Sequence, residues 1–67
     1  MPRYEIRVGG RIPALERPEF EGMSISEADG VTTLSGDVVD QAALHGMLDR
    51  IEILGLRLLE IRQGEMS

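Results

Sequence analysis

The hydrophobic residues between Asp40 and Gly55 recur every three or four positions, which is the spacing of an amphipathic α-helix. Asp40 is a suitable N-cap because its carboxylate can accept from the free amides of a first helical turn. Gly55 is a suitable stop because glycine readily adopts the left-handed conformation of a Schellman motif. The helix therefore presents one apolar stripe to a sheet, formed by Leu44, Met47, Leu48, Ile51 and Leu54.

Alternation of apolar and polar residues predicts strands on both sides of this helix. Residues 3–9 alternate strictly and predict a half-buried first strand. Residues 23–36 predict a hairpin, because Asp29-Gly30 is a strong turn signal between two alternating runs. Residues 57–63 predict a last strand after the helix.

The segment between the first strand and the hairpin predicts a short or broken helix over residues 12–21. Pro18 removes a backbone donor and disfavours helical backbone at Arg17. We expect one or two turns, with Leu15 and Phe20 as the hydrophobic anchors.

This order of elements predicts an α+β fold, a small ferredoxin-like βαββαβ sandwich with a reduced first helix. One main helix packs on a four-stranded antiparallel sheet of strand order 4-1-3-2. The whole chain, residues 1–67, is expected to form a single domain.

Charges on the first and last strands favour one register between them. Pairing Glu5 with Arg62 also pairs Arg7 with Glu60, whereas a slip of two residues sets like charges opposite each other. The register predicts that the helix covers Tyr4, Ile6, Val8, Leu59 and Ile61. It assigns to the other face Glu5, Arg7, Ser24, Ser26, Thr33, Ser35, Leu58, Glu60 and Arg62.

Composition narrows the function classes. The net charge of −5 without a basic cluster argues against nucleic acid as a partner. No apolar run approaches the length of a membrane span, and no apolar leader segment is recognised, so we expect a cytoplasmic protein. Without cysteine, a chain of 67 residues has no disulfide, which makes oligomerisation a reasonable source of stability.

Two blocks of the chain resemble a family of short, uncharacterised bacterial proteins: YEIRVGGR at residues 4–11 and DQAALHGMLDRIEILGLRLL at residues 40–59. The resemblance implies no activity, cofactor or ligand. Arg17-Pro18 departs from the short regular helix that is usual in this family, which leaves the form of that element open.

Few residues suggest chemistry. His45 is followed one turn later by Asp49, which could orient its imidazole, but no second histidine or nucleophile lies at a readable spacing. The acidic residues Glu16, Glu19 and Glu21 are more typical of a solvated surface than of a cation site. We therefore predict no catalytic residue, no metal site and no cofactor.

Gly9-Gly10-Arg11 follows the first strand and is the candidate ligand site. Backbone amides of a glycine turn can cradle an anion, and Arg11 would supply the charge. A Gly-Gly pair alone matches no phosphate-binding fingerprint, so a plain turn is the alternative.

The outer side of the main helix is the candidate interface and comprises Ala42, Gly46, Arg50 and Ile53, with Asp49 beside them. A glycine inside a helix costs about 1 kcal/mol relative to alanine. Ala42 and Gly46 lie one turn apart and would let another backbone approach, with Ile53 as an apolar contact at the far end. The alternative is a tolerated glycine beside an ordinary exposed isoleucine.

These features favour a non-catalytic protein–protein interaction module or accessory subunit that self-associates as a homodimer or binds another protein. The alternative is a regulatory domain that binds a small anionic metabolite near Arg11. An enzyme is the least favoured class, because the sequence lacks a nucleophile and base constellation.

Overall fold

A computed structural model describes residues 3–20 and 22–64 of the chain. Its strands are β1 (Arg3–Gly9), β2 (Ser24–Ala28), β3 (Val31–Asp37) and β4 (Arg57–Gly64). A 3-10 helix (Ala14–Phe20) joins β1 to β2, and the helix α1 (Gln41–Ile53) joins β3 to β4. Within the described residues the fold is thus α+β, with one α-helix and a four-stranded sheet.

The strand order in the sheet is β2-β3-β1-β4, which reads 4-1-3-2 from the β4 edge. Every neighbouring pair is antiparallel, with β1 and β3 in the centre. The first and last strands are therefore adjacent and antiparallel, as the sequence predicts. The arrangement differs from a complete βαββαβ layout because a 3-10 helix stands in the first crossover.

Both ends of α1 are formed by the residues that the sequence predicts. The carboxylate of Asp40 accepts from the backbone N–H of Ala43 at 2.8 Å, which caps the first turn. Gly55 has a φ of 77°, and its N–H donates to the carbonyl of Glu52. The N–H of Leu56 donates to the carbonyl of Ile51 at 3.1 Å. These two bonds define a Schellman motif.

The hairpin between β2 and β3 closes through Asp29 and Gly30, with φ values of 54° and 76°. Two successive positive φ values define a type I′ turn, whose twist matches that of the flanking strands. Strand β3 continues to Asp37, one residue past the end of the predicted hairpin. Glycine is needed at position 36 for this continuation. A Cβ at this position would lie 2.9 Å from the carbonyl oxygen of Gly22, which is too close.

The predicted register between β1 and β4 is confirmed over its charged half: Glu5 pairs with Arg62, and Arg7 with Glu60. A β-bulge then shifts the register between Arg7 and Val8, so that Val8 pairs with Leu58.

The bulge changes the positions of two leucines. Leu58 shares the helix-covered face with buried Val8, so its predicted place on the polar face is wrong. Leu59 is 48% exposed, so the prediction that the helix covers it is wrong. A one-residue slip exchanges the faces of all residues beyond it, which explains both errors.

The segment after β1 also differs from its prediction. The 3-10 helix runs through Pro18 without a break, and Leu15 is 91% exposed. Residues three apart share a side of a 3-10 helix, so the side that carries buried Phe20 contains Arg17 and not Leu15. Leu15 is therefore wrong as an anchor, and Phe20 is confirmed.

The core lies between the sheet and the two helices. Its buried hydrophobic residues are Tyr4, Ile6, Val8, Ile12, Phe20, Leu34, Val38, Leu44 and Ile51. Of the predicted helix stripe, Leu44 and Ile51 are buried, and the other three pack against the core while partly exposed.

Candidate functional site

The outward side of α1 carries the predicted interface residues, which we call the helix-face patch: Ala42, Gly46, Arg50 and Ile53. Ala42 and Gly46 are exposed, Arg50 is half-buried, and Ile53 is 71% exposed. A Cβ built on Gly46 has no neighbour within 4 Å, so packing inside the described chain gives no reason for a glycine there. The patch thus combines a costly glycine with a large exposed aliphatic side chain.

The Gly9-Gly10-Arg11 turn is held by internal contacts. The N–H of Gly10 donates to the carbonyl of Gly30 at 2.7 Å, and the carbonyl of Gly10 accepts from Thr32 Oγ1 at 2.6 Å. Gly10 has a φ of 113°, and a Cβ there would lie 2.8 Å from Leu56 Cδ2. This glycine is therefore explained by the fold, and its amide is engaged by Gly30.

Two arginines converge on one carboxylate beside this turn. Arg17 Nη2 donates to Glu27 Oε2 at 2.7 Å, and Arg11 Nε lies 3.3 Å from Glu27 Oε1. The side chain of Glu27 is 26% exposed, whereas that of Arg11 is 80% exposed. The sequence reasoning missed this cluster, although Glu27 occupies a position two residues beyond Ile25 on the helix-covered side of β2. A carboxylate on the side of a strand that faces the helices indicates a cationic partner, and this is the signal in the sequence that could have predicted the cluster.

The polar face of the sheet has a second charge cluster. Glu60 lies between two arginines, 3.6 Å from Arg7 Nη1 and 3.0 Å from Arg62 Nε. All three side chains are more than one third exposed. Exposed ion pairs contribute little to stability, so we infer that these two mainly select the register between β1 and β4.

The β4 edge carries an apolar surface that the sequence reasoning missed. Within the described sheet β4 neighbours β1 alone, and its residues Leu58, Leu59 and Ile61 are 46%, 48% and 38% exposed. Leu58 also lines a shallow groove against Leu48 on α1. The bulge brings Leu58 to the helix-covered side of this surface, and alternation alone does not reveal a bulge.

Among the described residues, the other candidates from the sequence do not form a catalytic or metal-binding group. His45 and Asp49 lie one turn apart on α1, and both are exposed. No group of potential metal ligands occurs among residues 3–20 and 22–64. Glu21 and the side chain of Glu19 lie outside the described residues. No helix of the described chain has the length and apolar character required to cross a membrane.

The fold and these surfaces define a small α+β domain with exposed apolar patches on α1 and β4. The chain belongs to the family described as a domain of unknown function (DUF8691), whose model matches residues 3–62. This agrees with the resemblance to an uncharacterised family. No curated protein and no solved structure matches the chain.

Proposed function

We propose that the chain is a ferredoxin-like sandwich with a reduced first helix. Strand order and the uniformly antiparallel neighbours support this assignment. Each crossover also joins two strands that have one other strand between them, as in the split βαβ units of that fold. A bacterial origin and a cytoplasmic location stay predictions from the sequence.

We propose further that the protein is a non-catalytic interaction module that self-associates through the helix-face patch. The single observation that carries this proposal is the open space over Gly46 on an exposed helix side. Two such helices can approach closely across Ala42 and Gly46, where side chains are absent or small. Ile53, which is 71% exposed, would then be covered by the second copy.

The alternative function, binding of an anionic metabolite near Arg11, has less support. The Gly10 amide already donates to Gly30, and Glu27 already engages the guanidinium groups of Arg11 and Arg17. An anion would have to displace a carboxylate that is tethered to β2. We therefore rank this function second.

The test compares two substitutions at one position. Gly46→Leu adds a side chain that blocks close approach, while Gly46→Ala adds a methyl group that a close contact can tolerate; both improve helix propensity. We expect the wild type and Gly46→Ala to associate in a light-scattering concentration series, and Gly46→Leu to associate at least tenfold more weakly.

Circular dichroism must show an equally helical Gly46→Leu variant, so that the loss reports assembly and not folding. A wild type that stays monomeric across the series would refute self-association. Equal association of all three proteins would refute the helix-face patch as the contact.

A further inference from the structure

We infer that two copies of the chain also pair along the β4 edge, in a register that places Ile61 opposite Ile61 of the second copy. The two sheets would join into one continuous sheet. This inference rests on the proposed self-association and adds a second contact surface, distinct from the helix-face patch. The occupant of the edge is thus another copy of this chain.

Backbone hydrogen bonding shows which β4 residues face the open edge. The N–H of Gly10 donates to the carbonyl of Gly30, so the backbone groups of Gly10 point toward β3. Backbone direction alternates along a strand, so Val8, Ile6 and Tyr4 also direct their backbone groups toward β3. The residues between them direct theirs toward β4, where their partners are Glu60 and Arg62. Ile61 lies between these two partners and therefore directs its N–H and C=O away from β1.

An open edge invites pairing with another strand unless unfavourable charge, proline, a bulge or a covering element blocks it, and the bulge of β4 lies at Leu59, before residues 60–62. Strand β4 contains no proline, and the side chain of Ile61 lies on the helix-covered side because it pairs with buried Ile6. At 38% exposure, Ile61 still presents apolar surface at the rim. Among residues 3–20 and 22–64, the β4 edge thus offers backbone groups that no other strand pairs, together with a hydrophobic contact.

Charge selects the register between the two copies. Centring the pair on Ile61 sets Glu60 opposite Arg62 of the second copy, and twofold symmetry repeats this pair. Sliding the strands by two residues sets Glu60 against Glu60 in one direction and Arg62 against Arg62 in the other. Like charges directly opposite are unfavourable, so β4 is complementary to itself in the central register.

Disulfide trapping tests this register because the chain has no cysteine of its own. Directly opposite residues of a hydrogen-bonded pair have Cα atoms about 5.5 Å apart, within the range that a disulfide spans. Ile61→Cys should therefore form a disulfide-linked dimer under mild oxidation. Gln63→Cys is the matched control: it is exposed on the same strand, but two copies of it would lie roughly 13 Å apart along the strands.

We expect Ile61→Cys to cross-link at least tenfold faster than Gln63→Cys at a protein concentration at which the wild type associates. A second experiment mixes the Leu59→Cys and Gln63→Cys variants, so that Ile61 and its apolar contact are retained. The register sets these positions opposite each other, so intact-mass spectrometry should find the mixed disulfide in excess over both symmetric ones.

The outcomes separate the two proposals. Cross-linking of Ile61→Cys that persists when Gly46→Leu is added supports a β4 contact independent of the helix-face patch. Equal rates for Ile61→Cys and Gln63→Cys, with no excess of the mixed disulfide, overturn the β4 pairing while the wild type still associates. A wild type that is monomeric by light scattering overturns both proposals.

Discussion

The hydroxyl of Thr32 donates to the backbone carbonyl of Gly10 at 2.6 Å, from a side chain that is completely buried. This bond fastens the chain just after β1 to β3, its neighbour in the sheet. Thr32→Val keeps the shape and leaves the carbonyl without this donor, which should lower the free energy of unfolding by about 1–2 kcal/mol. Urea denaturation measures the change.

Thr33→Val is the control for that substitution, because Thr33 is half-buried on the opposite face of the same strand. It changes strand propensity in the same way and should shift stability by less than about 0.5 kcal/mol. Equal effects of the two variants would show that the Thr32 hydrogen bond contributes nothing specific.

The N-cap of α1 gives a second prediction. Asp40→Ala removes the acceptor for the Ala43 amide and should destabilise the protein by about 1 kcal/mol. Asp40→Asn retains an acceptor oxygen and should recover most of the loss. Thermal melts of the three proteins decide the matter, and an unchanged midpoint for Asp40→Ala would contradict the capping role.

Two glycine-to-alanine substitutions should have opposite signs. Gly55 has a φ of 77° and no atom within 4 Å of a built Cβ, so Gly55→Ala costs only backbone strain, about 1 kcal/mol. Gly46 lies within α1, where alanine is the better helix former, so Gly46→Ala should stabilise the monomer by roughly 1 kcal/mol. Denaturation at a concentration below association measures both, and equal signs would refute one of these two conformational arguments.

The Glu27 cluster gives a prediction about the first crossover. Glu27→Gln removes the charge that Arg17 contacts at 2.7 Å and should destabilise the protein by about 1 kcal/mol, with a smaller effect at high salt. Glu52→Gln is the comparison, because Glu52 is exposed on α1. An effect of Glu27→Gln that does not depend on salt would argue against an electrostatic role.

The sequence predicts the elements whose causes are local. Asp40, Gly55 and the Asp29-Gly30 turn act through backbone conformations and capping bonds that depend on a few neighbouring residues, and all three are found where expected. The charged register of β1 and β4 also follows from the sequence, because a slip would bring like charges together.

The features that the sequence does not predict depend on tertiary structure. The bulge near Leu59 arises where β4 pairs with β1, and no local residue marks it. The exposure of Leu15 follows from a 3-10 period that an α-helical reading does not anticipate. For the candidate site, the sequence correctly places the helix-face patch on the exposed side of α1, while the β4 edge is visible only once strand neighbours are known.

The 3-10 helix of the first crossover affects how stability is distributed across the molecule. Strand β2 contains no fully buried residue, and the Arg17–Glu27 ion pair ties this crossover to it. By contrast, β1 contributes Tyr4, Ile6 and Val8 to the core, and β3 contributes the buried side chains of Thr32 and Leu34. Segments with little buried apolar surface open locally at a lower free energy than the global transition. Amide hydrogens of β2 should therefore exchange through a sub-global opening that leaves α1, β1 and β3 folded, so the molecule loosens first on the side away from β4.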